Sequence, residues 1–176
     1  MRPIGYLYKR VAAAPEWLKA PHVSDIYSLS GCVSEAVGSH LEPWRQNGYG
    51  LFDSPAHIHA LAAEHGLSLA GARLFYYEAY ELEYDGQWTP FEPNPALDTA
   101  VVPCQHATLE GFDVATYWLR SGTECSPLSC NGLAAELPTN THCLFPSLEA
   151  AIQAVEQGRF EHSEPGPYRV IAVYSV

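Results

Sequence analysis

At 176 residues, 47% hydrophobic and only 16% charged, the chain is long enough to bury a core and too apolar to be disordered. The formal net charge of −11, from 20 acids and 9 bases, works against nucleic acid and anionic lipid and favours a basic protein partner or a small cationic ligand. No apolar run approaches the ~18–20 residues of a membrane span, Met1–Arg10 does not read as a leader, and an odd five cysteines argue against a disulfide framework, which together predict a soluble cytoplasmic protein with reduced thiols.

The first predicted element is a strand over Pro3–Lys9, with Ile4, Tyr6 and Tyr8 on one face. Val11–His22 carries two prolines and reads as a connection with a small helical piece near Trp17. Asp25–Ser30 reads as a short strand. A helix is predicted over Val33–Leu41, from Val33, Val37 and Leu41 at intervals of four. Ser54-Pro55 opens the next helix: serine caps, and proline suits the first helical position. Ile58, Leu61 and Ala62 form its stripe and Gly66 ends it. Arg73–Tyr84 is a long aromatic strand, Asp85-Gly86 a hairpin turn, and Gln87–Phe91 the return strand.

Glu92–Asp98 reads as loop. Phe112–Leu119 alternates as a strand. Ser121–Asn131 is predicted as loop, and a short helix from about Leu133 must stop before Pro138. Ser147 caps a helix striped by Leu148, Ala151, Ile152 and Val155 and ended by Gly158. Pro165–Pro167 is a turn. Tyr168–Val176 is apolar on both faces, which places it inside the sheet. The expected whole is a single α+β domain over 1–176: a mixed, mostly antiparallel sheet with helices packed on it.

One pattern recurs. Asn47-x-x-x-Leu51-Phe52-x-Ser54 opens one helix and Asn140-x-x-x-Leu144-Phe145-x-Ser147 the other. At the same spacing Cys32 falls on Cys125. Two readings follow. The chain is an internal pseudo-repeat, 1–91 and 99–176, of two strand-helix-helix-strand halves. Alternatively, Leu-Phe-x-Ser is a common entry to a helix, an apolar anchor followed by a cap.

The densest chemical stretch is Glu124–Gly132. It places Cys130 before a helix, where the dipole would favour thiolate. Cys130 or Cys125 is then a candidate nucleophile, with His142 or His106 as base and Asn131 in an oxyanion site. The alternative is that both cysteines fill space, since free cysteine is among the most buried residue types. Six soft ligands, Cys104, His106, Cys125, Cys130, His142 and Cys143, are candidates for a zinc site, although paired short-spacer knuckles are missing. His57 and His59 do not share a helix face. Glu78 is a candidate acid, base or cation anchor. It shares the predicted inner strand face with Leu74, Tyr76, Tyr80 and Leu82, while Phe75, Tyr77 and Ala79 share the face expected to be more solvated. Tyrosine hydroxyls or Arg169 would satisfy Glu78 in a purely structural role.

No phosphate-binding loop, dinucleotide glycine fingerprint, His-Glu-x-x-His or Gly-x-Ser-x-Gly is present. Three functions remain. One is an acidic binding or inhibitor protein of the immunity type, with 11 tyrosines and 4 tryptophans for an interface. The second is a cysteine-dependent enzyme acting on a small molecule. The third is a zinc-stabilised scaffold.

Overall fold

The computed structural model describes residues 1–38, 45–116 and 125–176. Its strands are β1 (Arg2–Arg10), β2 (Glu35–Ala36), β3 (Arg73–Tyr84), β4 (Trp88–Pro90), β5 (Thr108–Thr116) and β6 (Tyr168–Ser175). Its α-helices are α1 (Pro55–His65), α2 (Pro127–Cys130) and α3 (Leu148–Glu156), with 3-10 turns at Glu16–Leu18 and Leu133–Ala135. The sheet order is β2-β1-β3-β6-β5, with β4 also paired to β3. The fold is α+β, and every pairing among the described strands is antiparallel rather than mixed.

Local chemistry accounts for most elements. The Ser54 side chain accepts from the His57 amide and that of Ser147 from the Ala150 amide, so each caps its helix. The hairpin closes at Asp85-Gly86, and β6 lies inside the sheet, between β3 and β5. The predicted helix over Val33–Leu41 is absent through Gly38: Glu35–Ala36 pairs with β1 as β2 instead, and the remainder lies outside the described residues. Asp25–Ser30 is no regular strand. It has a single bridge, Ala13 to Asp25, and the chain bends at Leu29 and Ser30, where side chains hold it. The predicted Phe112–Leu119 strand starts earlier, at Thr108, and is described to Thr116; Tyr117, Trp118 and Leu119 fall outside.

Both faces of the sheet are buried. Phe75, Tyr77 and Ala79, expected on the more solvated side, are fully inside. They face Leu7 on one side and Ile171 and Val173 on the other. The reason is curl. Lys9 on β1 and Asp113 on β5 both bond to residues 28–30, although β3 and β6 lie between those two strands. Three strand spacings span roughly 14 Å on a flat sheet, too far for two side chains to meet one short segment. Curling makes this face concave, and α1 and α3 pack against β1 and against β5 and β6.

One junction is built twice. Asn47 Nδ2 donates to Ile4 O at 3.0 Å, and its Oδ1 accepts from the amides of Tyr49 and Leu51 at 2.9 and 3.2 Å. Asn140 Nδ2 donates to Glu110 O at 2.7 Å, and its Oδ1 accepts from His142 and Leu144 at 2.9 and 3.1 Å. Phe52 bridges to Tyr6 as Phe145 bridges to Phe112. Each outer strand has a register shift just before a glycine, Gly5 at φ 141° and Gly111 at φ 150°. A Cβ on Gly5 would stand 2.6 Å from Leu51 Cβ, and one on Gly111 would stand 2.7 Å from Phe145 O. The described residues of 1–91 hold one α-helix rather than two, so the strand-helix-helix-strand order is not what they show.

Candidate thiol site

Lys9 lies at the end of a strand, where an ammonium is ordinarily in water, yet it is fully buried. Its Nζ donates to the carbonyls of Ser28, Leu29 and Ser30, the last at 2.6 Å. An ammonium has three protons, so this cage matches its donors one for one. Burial lowers the Lys9 pKa to about 8, with the negative charge of Asp113 opposing it. Asp113 meets the same segment from the other side. Its Oδ2 accepts from the Leu29 amide at 2.7 Å and from Ser126 Oγ at 2.6 Å. Its Oδ1 is buried with no hydrogen-bond partner among the described residues. Burial pushes the Asp113 carboxyl up to about 6, and donation from Ser126 and Leu29 works against that rise. A buried cation on one strand and a buried acid on another thus grip one bent segment between them.

That segment carries the chain outward to Cys32, which is exposed. Cys125 and then Cys130 are the groups that act most strongly on its thiol. Ser30 ties them together. Its Oγ is 3.1 Å from Cys130 Sγ and accepts from the Cys32 amide at 3.2 Å. Cys125 Sγ donates to Asn131 Oδ1 at 3.1 Å, and Asn131 Nδ2 donates to Glu164 at 3.2 Å. Ser129 Oγ donates to Ser28 Oγ at 2.8 Å and stiffens the floor below.

Three neighbouring thiols share one negative charge best by placing it on the most exposed sulfur, where water also solvates it. Cys125 and then Cys130 hold the Cys32 thiol well below the ordinary range, against partial burial. Cys130 and Cys32, and then burial, push the Cys125 thiol up. For Cys130 the influence of Cys125 is downward, but Cys32 and burial outweigh it and the net shift is upward.

The structure therefore brings together Cys125 and Cys130, both expected at a site, with Cys32, which was not. The constant spacing that aligned Cys32 with Cys125 was the available signal for it. Lys9 and Asp113 had none, since each sits in an unremarkable strand position. The dipole argument for Cys130 does not hold: Cys130 is the last residue of the one-turn helix α2, not a residue at a helix start. The Asn131 side chain is engaged at both ends, its Oδ1 accepting from the Cys125 thiol and its Nδ2 donating to Glu164.

The remaining predicted residues lie apart. His142 Nδ1 is 2.6 Å from Asp25 Oδ1, its Nε2 is 3.7 Å from Glu110, and its ring stacks on Tyr27. The imidazole is thus engaged by acids. His106 is exposed. Cys104 lies beside the Tyr6 hydroxyl, and Cys143 is fully buried in the core. The six proposed zinc ligands are not gathered at one point, and no group of three or more His, Cys, Asp or Glu among the described residues is arranged to hold a metal ion. Glu78 accepts from the hydroxyls of Tyr76 at 3.0 Å and Tyr174 at 3.1 Å, while Arg169 pairs with Glu83.

Comparison with family models, curated proteins and solved structures finds no match to this chain. No helix among the described residues is long and apolar enough to cross a membrane.

Proposed function

We propose that this protein is a cysteine-dependent enzyme acting on a small electrophile, with Cys32 as the attacking thiolate. One observation carries the reading: exposed Cys32 is joined to Cys130 through the Ser30 hydroxyl, which lies 3.1 Å from Cys130 Sγ and accepts from the Cys32 amide at 3.2 Å. The thiolate is the nucleophilic form of cysteine, and donors that stabilise it raise its fraction at neutral pH. The earlier candidates Cys130 and Cys125 become the neighbouring thiols in this reading. A reducing compartment, the cytoplasm, is the setting that would keep all three thiols free.

Alkylation by iodoacetamide, mapped by mass spectrometry across pH, tests this directly. Cys32 is expected to react first, with a rate that stays high below the pH at which ordinary thiols lose reactivity. Replacing both Cys125 and Cys130 by serine should move that profile toward ordinary thiol behaviour. Uniformly slow modification of all five cysteines would sink the proposal.

The net charge of −11 supports a second reading, a binding protein for a basic partner. A basic protein should then associate with a rate that falls steeply with salt. Salt-independent association, or none, would remove that reading.

A further inference from the structure

Resting on the thiol reading above, we infer that the small electrophile is a hydroperoxide and that Cys130 is the residue that resolves oxidised Cys32. Three features of the site favour this. The reacting sulfur is exposed and needs no deep pocket to meet a substrate of two heavy atoms. A second sulfur lies close by, since Cys130 Sγ is 3.1 Å from the Ser30 hydroxyl that accepts from the Cys32 amide at 3.2 Å, which favours a disulfide between them. The charge of the protein discriminates as well: at −11 it repels anionic disulfides such as oxidised glutathione, whereas hydrogen peroxide is neutral.

The chemistry balances as follows. The Cys32 thiolate attacks one peroxide oxygen and the O–O bond breaks. The sulfur becomes a sulfenic acid, and the departing hydroxide takes a proton to leave as water. The Cys130 thiolate then attacks the Cys32 sulfur, displacing hydroxide, which leaves as a second water with the thiol proton. Cys32 and Cys130 end as a disulfide, two electrons having passed to the peroxide. A low-molecular-weight thiol returns both cysteines to the reduced state by two exchanges and is itself oxidised.

Cys130 is assigned over Cys125 on geometry. Ser30 Oγ joins Cys130 Sγ to the Cys32 backbone, at 3.1 and 3.2 Å. The Cys125 proton is instead committed to Asn131 Oδ1 at 3.1 Å.

The test treats the full-length reduced protein with stoichiometric hydrogen peroxide and maps disulfides by mass spectrometry. A Cys32–Cys130 disulfide is expected, with peroxide consumed at least about tenfold faster than by Cys32→Ser. Cys130→Ser should halt at the sulfenic acid, trapped by dimedone on Cys32, whereas Cys125→Ser should still form the disulfide. A Cys32–Cys125 disulfide, or sulfenic acid accumulating in Cys125→Ser instead, overturns the assignment of Cys130. If iodoacetamide labels Cys32 rapidly but peroxide is consumed no faster than by Cys32→Ser, the hydroperoxide inference fails while the nucleophile reading stands. Rapid reaction with oxidised glutathione and none with peroxide also overturns it. A matching circular dichroism spectrum checks that each variant is folded.

Discussion

The junctions around Asn47 and Asn140 use the same bonds, yet the strands they fasten carry different chemistry. In each, an asparagine side chain closes a turn, a phenylalanine bridges to an outer strand, and a glycine admits the close approach. Align the two strands on those glycines, and Gly5-Tyr6-Leu7 lies against Gly111-Phe112-Asp113. Leu7 packs in the apolar core where Asp113 holds the segment below the thiols. Two strand positions later Lys9 stands where Ala115 does, so each outer strand contributes one buried charge and neither carries both. A regular frame can thus support an irregular site, because the frame is made by backbone bonds and the site by side chains that point away from them.

The largest effects should come from breaking the frame. Gly5→Ala and Gly111→Ala each force a Cβ into backbone or side-chain atoms at under 3 Å, at a φ of 141° or 150°. Urea unfolding should show a loss of at least about 3 kcal/mol for each. A mild effect at one of the two would break their equivalence. Asn47→Ala and Asn140→Ala come next. Each removes a donor to a strand carbonyl and the acceptor for two amides, and should cost about 2–3 kcal/mol by the same measurement.

The asymmetric pair can be read by pH. Burial raises Asp113 to about 6, so between its ordinary range and pH 6 the folded state holds a proton that the unfolded state has released. Stability from this group therefore falls as pH climbs from about 4 to 6, on the order of 1–3 kcal/mol. Asp113→Asn should remove that slope when its unfolding curves are subtracted from those of the wild type. Lys9 is lowered to about 8, so between pH 8 and its ordinary range the unfolded state holds the extra proton. Its contribution rises with pH across that interval, and Lys9→Met should abolish the rise in the same subtraction. No such slope is expected from Leu7→Ala or Ala115→Gly, the matching positions on the opposite strands.

The smallest effects should fall on the caps. Ser54→Ala and Ser147→Ala each lose one bond to a helix amide, to His57 and to Ala150. Thermal unfolding should place each at about 1 kcal/mol, and equal losses would sharpen the likeness of the two junctions.

Local chemistry was enough to place the capped helices, the Asp85-Gly86 hairpin, the long aromatic strand and the buried last strand. In each of these the deciding contacts lie within a few residues, or both strand faces are visibly apolar. The turn motifs were legible too, because Asn, Leu-Phe and Ser recur at fixed offsets. Only the tertiary structure decided that Glu35–Ala36 pairs as a strand, that Phe75 and Tyr77 are interior, and that Lys9 and Asp113 meet across Ser28–Ser30. The first is a pairing with a distant strand, and the other two depend on the curl of the sheet, which is set by packing summed over every strand and leaves no local trace. The thiol cluster belongs with them: Cys32 lies far along the chain from Cys125 and Cys130, and what joins them is the path of a segment held by two buried charges.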